Sequence, residues 1–395
     1  MKSLSLSARA GQLKPSPTLG ISARAQSMRA QGIDVISLAA GEPDFPTPEP
    51  ICDAAIAALR AGFTKYTPTP GILELRQAIS EKLWNENSVR VAPEQVIVSS
   101  GAKQSLFNSC NILVDPGDEV ILIAPYWMTY AEQVTLAGGV PIKIQTTAES
   151  GFLPTSDQLR EAVSPRTKAI ILNSPSNPTG AVLSRQILKE IAALAIRHDF
   201  WVIADEIYEK LIYGAEHVSI ASLGSEIAER TVTIGGCSKT FAMTGWRVGF
   251  AAAPLPVAKA MSNFQDQVTS NANSFAQKGA VKAFTLGSDA VEEMRSEYEN
   301  RRNLVVGLLR DIPDVTVNVP SGAFYAMPNV SAYLGGRFST DLELAEYLLE
   351  EGKVATVPGS VFEGHGHIRL SYAASRENLK AGIARISDAL QKLRA

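Results

Sequence analysis

Between about residues 45 and 290, short β-branched apolar runs alternate with amphipathic helical stretches, and this alternation restricts the fold more than any other feature of the chain. The runs are QVIVSS (95–100), DEVILIAP (118–125), TKAIILNSP (167–175), FWVIADE (200–206), RTVTIGG (230–236) and WRVGFAAAP (246–254). Runs that are apolar on both faces belong to strands covered on both sides. Helices inserted between such strands imply an α/β fold, with a mostly parallel sheet and right-handed crossovers. Ligands of these sheets sit beyond the carboxyl ends of the strands. Here five of those ends read SSGAKQ, APYW, NSPSNPTG, ADEIY and GGCSKT, so polar and aromatic residues converge on one place.

The pattern changes after residue 290, where a long charged helix is followed by short strands and helices. We therefore expect a large α/β domain over 45–290 and a smaller α+β domain over 291–395. Residues 1–44 form an arm that joins the smaller domain. A chain of 395 residues has room for both. Lys and Arg number 37 against 40 Asp and Glu, without like-charge blocks, which argues against a nucleic-acid footprint. No apolar run approaches the ~18 residues of a membrane span and the N-terminus lacks a signal-peptide core, so the expectation is a cytoplasmic protein. Cys52, Cys110 and Cys237 are too scattered for a disulfide framework or a CxxC metal site.

Individual residues each carry a bland reading and a chemical one. Lys239 in GGCSKT is either a solvated loop lysine or a desolvated amine suited to a Schiff base. The segment is not a Walker A loop, because Cys237 and Ser238 stand where its spacing needs other residues, and no GxGxxG follows a strand. Arg247, after a free turn at Gly245, is either a surface arginine or a bidentate phosphate anchor. Gly101, opening a helix in SGAKQ, is either a turn glycine or part of an anion site at the helix start. Asp205 ends an apolar strand, where a carboxylate needs a cation, a cap or a protonated ring nitrogen. Tyr208 is either core packing or a donor to a ring oxygen. Trp127 is either core or a stacking platform, and Asn177 either braces its turn or reaches a ring. Arg369, inward on an alternating strand, is either structurally paired or a carboxylate receptor. His365 and His367 lack the further ligands a metal requires.

GEPDF, TKYTPTPGILELR, NPTG, DEIY, SKTFAMTGWRVG and IRLSYA occur in this order over nearly the whole chain. Together they resemble the fold-type I aminotransferases that use pyridoxal 5'-phosphate (PLP), and most of all the bacterial aspartate aminotransferase branch of class I. The resemblance implies the three-layer PLP-dependent transferase fold. It also makes Lys239 the Schiff-base lysine and proton shuttle, Asp205 the partner of the pyridinium nitrogen, and Tyr208 and Asn177 the partners of the ring oxygen. Gly101, Ala102, Lys103, Ser238 and Arg247 would hold the phosphate, and Trp127 would stack on the ring. Arg369, with Gly41 and Asn177, would bind the substrate α-carboxylate. It further implies a homodimer in which Tyr66 completes the partner's phosphate site.

In this branch Lys103 matches a lysine that receives the distal carboxylate of acidic substrates, and Lys14 matches one that accompanies activity on prephenate. The resemblance thus favours aspartate or glutamate with 2-oxoglutarate or oxaloacetate, and extends to prephenate. An aromatic or alanine aminotransferase, or a PLP lyase, would keep Lys239 and Asp205. A PLP-binding sensor fused to a winged helix is disfavoured, because about 40 residues ahead of the fold leave no room for that module.

Overall fold

The computed structural model describes residue 7, residues 10–11, 17–287 and 289–394. Lys14 lies outside the described residues. Twelve strands are present among them: β1 (Ile36–Ser37), β2 (Val96–Ser99), β3 (Glu119–Ala124), β4 (Val140–Gln145), β5 (Thr167–Asn173), β6 (Trp201–Asp205), β7 (Thr231–Gly236), β8 (Gly249–Ala252), β9 (Tyr325–Ala326), β10 (Val354–Ala355), β11 (Val357–Pro358) and β12 (Ile368–Ser371).

Seven of them make one sheet, in the order β2-β8-β7-β6-β5-β3-β4. β4, β3, β5, β6 and β7 are parallel neighbours, and β8 runs antiparallel to both β7 and β2. The apolar runs of β5, β6 and β7 are buried along almost their whole length, with helices on both faces. That double coverage is why their sequences lack the alternation of a one-sided sheet. The reversal of β8 matters for the site: its starting end, not its finishing end, lies where the other strands finish. Arg247, two residues before β8, is thereby delivered to the same rim as Lys239, three residues after β7.

Sequence reading missed β4, one of the two edge strands of the sheet. Its VPIKIQ carries a Pro and a Lys and is largely exposed, as edge strands are. The turn expected before Arg247 is present, with one addition. Gly245 sits in a short 3₁₀ turn, Thr244–Trp246, and it is Arg247 itself that takes the left-handed conformation, φ 58°.

The remaining strands lie outside this sheet. β1 pairs in parallel with β10, and β11, β12 and β9 form an antiparallel sheet. Their side chains share a core with the long helix Asp289–Arg310 and the last helix Arg376–Gln391, centred on Leu38, Tyr298, Phe324 and Leu370. The three cysteines are unpaired. Among the described residues no helix is long and apolar enough to cross a membrane.

Candidate active site

A cavity of about 750 Å³ opens at the carboxyl ends of β5, β6 and β7, and is closed on its other side by the segment 39–42 and by Arg369 from β12. Lys239 projects into it from the loop after β7. Its Nζ donates to the Gly41 carbonyl at 2.5 Å. Burial lowers this ammonium to about 8; the Glu42 carboxylate pulls it back up, while Arg369 and Arg247 push it further down. An amine in that range is neutral often enough at neutral pH to act as a nucleophile or base.

Asp205, the last residue of β6, is 4% exposed. It accepts from the Tyr130 hydroxyl at 2.7 Å and from the Ile207 N–H at 3.2 Å. Burial raises its carboxyl to about 6 despite those two donors and the weaker pull of Lys239, because no cation pairs with it directly among the described residues. A protonated ring nitrogen brought alongside would relieve that cost.

Arg369 is 3% exposed. Its Nη1 donates to Asn177 Oδ1 at 2.9 Å and its Nη2 to the Ala39 carbonyl at 2.8 Å. Its guanidinium lies 4.4 Å from the centre of the Tyr325 ring and 4.9 Å from that of Phe362. No carboxylate pairs with it among the described residues, and its buried Nε has no acceptor there. Burial accordingly pulls its basicity below the ordinary arginine value.

A candidate anion cradle lines another part of the cavity. The helix Ala102–Leu113 begins at Gly101, whose φ of 82° and lack of Cβ let the Arg247 guanidinium lie directly against it. Gly249, the first residue of β8, packs on the Gly101–Ala102 peptide so closely that any side chain there would overlap it. Two glycines thus let a helix N-terminus, with its unpaired N–H groups, stand beside an arginine. Arg247 is held by the carbonyls of Thr244 at 2.9 Å and Ser100 at 3.4 Å, and Ser238 lines the same space. The Lys103 ammonium lies 4.5 Å over the Trp127 ring, and burial, then Arg247, lower its pKa. Trp127 itself stands edge-on to Tyr130.

The cavity therefore brings together Gly41, Ala102, Lys103, Trp127, Asn177, Asp205, Tyr208, Ser238, Lys239, Arg247 and Arg369, with Gly101 at its rim. Tyr66 is not among its lining residues and is 91% exposed. Three residues were overlooked in the sequence. Tyr130 was legible as the residue one helical turn after Trp127 in PYWMTY. Tyr325, whose hydroxyl is 2.9 Å from that of Tyr208, had no signal separating it from its neighbour Phe324. Glu42, bonded by the Thr244 hydroxyl at 2.9 Å, was hidden within GEPDF. His365 and His367 lie apart from the cavity; His365 is exposed and His367 packs against Phe152.

A lysine, a carboxylate and an arginine enclosed together at the strand ends of such a sheet equip an enzyme for small molecules that carry both amino and carboxylate groups. The chain belongs to the class I and II aminotransferases, whose family model matches residues 33–386. It is 48% identical to a probable aspartate/prephenate aminotransferase of Aquifex aeolicus, over 98% of this chain and 99% of that one. It is 45% identical to the aspartate/prephenate aminotransferase of Thermus thermophilus, over 98% of both. Among solved structures it resembles the Thermus thermophilus aspartate aminotransferase with maleate, with a TM-score of 0.94 at 44% identity, covering 98% of this chain and 100% of that one. The Rhizobium meliloti aspartate aminotransferase gives a TM-score of 0.95 at 40% identity, with 98% and 99% covered.

Proposed function

We propose that this aminotransferase holds PLP in the cavity and moves an amino group between aspartate or glutamate and a 2-oxo acid such as 2-oxoglutarate or oxaloacetate. The observation that carries the reading is Arg369, a buried guanidinium without a carboxylate partner among the described residues, in a cavity that also holds Lys239 and Asp205. Leaving a cation desolvated is costly unless a ligand completes it, and a substrate carboxylate does so with bidentate geometry.

The residues present suit PLP. The glycine-lined helix start with Ser238 and Arg247 would take its phosphate, Asp205 its ring nitrogen, and Tyr208 and Asn177 its ring oxygen, with Trp127 against the ring. PLP, when bound, supplies an aldehyde for amino-group exchange and a ring that withdraws electrons from the amino acid's Cα. The chain supplies the rest. Asp205, once ionised, keeps the ring nitrogen protonated. Arg369 fixes the α-carboxylate and so orients the Cα–H bond. Lys239 Nζ takes the Cα proton, a task suited to an amine whose pKa lies near 8. Lys103 receives a distal carboxylate, which sets the preference for acidic substrates.

Two further parts complete the reading. A homodimer places Tyr66 of one subunit at the partner's phosphate site, in keeping with its exposure and its absence from its own cavity. The division at 45–290 and 291–395, with 1–44 joining the smaller part through the β1–β10 pairing, goes with closure over the substrate that expels water. Prephenate is a second candidate acceptor because relatives are named for it; Lys14, which also favours it, is a sequence argument alone.

An absorption spectrum of the PLP-loaded protein tests the proposal. Aspartate is expected to bleach the cofactor band and 2-oxoglutarate to restore it. A band that responds to alanine or phenylalanine but not to aspartate would overturn the acidic preference, and no response to any amino donor would overturn the mechanism.

A further inference from the structure

Behind Asp205 lies a second cluster of buried charge. Successive residues of an extended strand point to opposite faces. Asp205 faces the cavity, and Glu206, whose N–H continues the ladder to the Ile234 carbonyl at 2.9 Å, meets Asn87 and His217 instead. His217 Nε2 is 3.2 Å from Glu206 Oε2. Asn87 Nδ2 donates to Glu206 Oε2 at 3.4 Å and to Glu209 Oε2 at 2.6 Å. The Lys82 ammonium contacts the Glu209 carboxylate and donates to Asn87 Oδ1 at 2.7 Å.

The charges of this cluster do not balance without His217. Lys82 is the single lysine inside it, facing two carboxylates, Glu206 and Glu209. At its edge Glu86 stands 3.7 Å from Lys82 and is paired at 2.9 Å with Lys210, so those two outer groups compensate each other. Glu206, Glu209 and His217 offer ligand atoms within 4.8 Å of one another, a grouping that resembles a metal site, yet Lys82 already stands there as the cation. A protonated His217 supplies the missing positive charge. Burial opposes its charging, but the Glu206 charge and hydrogen bond, then Glu209, outweigh burial and hold its pKa above the ordinary histidine value. Its buried Nδ1 has no acceptor among the described residues, so the ring is held only through Nε2.

We propose that His217, protonated against Glu206, is a positioning residue for transamination: it cancels the charge next to Asp205 and so keeps Asp205 ionised for a protonated ring nitrogen. The inference rests on the reading of Asp205 as the partner of the PLP ring. The groups acting directly on Asp205 are Tyr130 and the Ile207 N–H, which favour its ionised form, Glu206, which opposes it, and Lys239, which favours it. Of these only Glu206 has a titratable partner outside the cavity. Losing the positive charge at His217 would leave an uncompensated anion one residue from Asp205, in surroundings where charges are weakly screened.

The test is PLP affinity of the apoprotein, measured by absorbance titration from about pH 5 to about pH 9, in wild type, His217→Gln, Glu206→Gln, the double variant and Asp205→Asn. Wild type is expected to lose affinity on the acid side as Asp205 takes up its proton. In H217Q that loss is expected at higher pH: a shift of about one pKa unit from about 6 weakens affinity roughly tenfold near pH 5 and about twofold near neutrality. In E206Q the loss moves to lower pH, and the double variant follows E206Q, because His217 has nothing left to cancel. A disturbance of folding alone would not produce opposite shifts or a rescue by the second substitution. An unmoved profile in H217Q, equal shifts in both single variants, or a double variant that resembles H217Q would overturn the inference. If H217Q does not fold, E206Q alone decides, and an unmoved E206Q profile overturns it. The control separates this inference from the reading beneath it: an acid-side loss that persists in D205N would overturn the assignment of Asp205 itself.

Discussion

The Tyr130 hydroxyl donates to the Asp205 carboxylate across 2.7 Å, reaching from the helix after β3 to the end of β6. It is the stronger of the two hydrogen bonds that favour the ionised form of Asp205, and a bond to a charged group contributes about 1.5–3 kcal/mol. Tyr130→Phe is therefore expected to push the Asp205 carboxyl above about 6, by about one to two units, and to weaken PLP affinity by about twofold to tenfold at neutral pH and more on the acid side. Unchanged affinity in that variant would mean that the bond does not control Asp205.

The cost of burying Asp205 is visible without cofactor. Folding raises its carboxyl from the ordinary 3.8 to about 6. Between those values the folded protein holds more protons than the unfolded one, so this group's contribution to stability falls as pH rises through the window, and the whole cost stands above about 6. Asp205→Asn is expected to raise the Tm of the apoprotein near neutral pH by a few degrees, with the gain vanishing at about pH 4. Thermal unfolding of both proteins across that range checks the sign.

Lys239 obeys the opposite sign. Its ammonium is lowered from 10.5 to about 8, so between those values the unfolded chain binds the extra proton and stability rises with pH. The reaction of apoprotein with PLP, followed by stopped-flow absorbance, is expected to accelerate through a midpoint near 8 and then level off. A midpoint at the ordinary lysine value would contradict the burial argument.

Gly101→Ala tests the anion cradle. The new methyl would press on the Arg247 guanidinium at φ 82° and ψ 159°, an essentially glycine-only conformation that costs a side chain roughly 1–3 kcal/mol. PLP affinity is expected to fall by about tenfold or more, beyond the modest loss of thermal stability that the strain itself causes in the apoprotein. Equal binding by this variant would place the phosphate elsewhere.

On the proposed reading, substrate binding divides between two cations. Arg369→Ala removes a buried guanidinium and is expected to raise KM for aspartate by roughly a hundredfold or more. Lys103→Val is expected to reduce turnover of aspartate much more than that of alanine, and steady-state kinetics with both donors gives the comparison. Equal losses would assign Lys103 a role in cofactor binding alone.

The sheet and the rim of the cavity were legible because doubly buried strands write themselves as continuous apolar runs, and because polar residues interrupt those runs where the strands end. What the sequence concealed follows from the same physics. β4 is an exposed edge strand whose Pro141 and Lys143 break the apolar pattern. A turn at Gly245 was legible from its glycine, but not that the left-handed residue of that turn is Arg247. Tyr325 and Phe324 are adjacent aromatics, and only the pairing of β9 with β12 decides which one meets Arg369. The His217 cluster joins residues from positions 82 to 217 whose charges look like ordinary surface charge in one dimension.

The segment 39–42 lends oxygens to both cations of the cavity: the Ala39 carbonyl to Arg369 and the Gly41 carbonyl to Lys239. These peptide oxygens act as understudies. A ligand that frees Lys239 and engages Arg369 does not fill a void so much as relieve four consecutive backbone residues of two duties at once. The stretch that closes the cavity would thus register, through a single short piece of main chain, whether each end of the substrate has arrived.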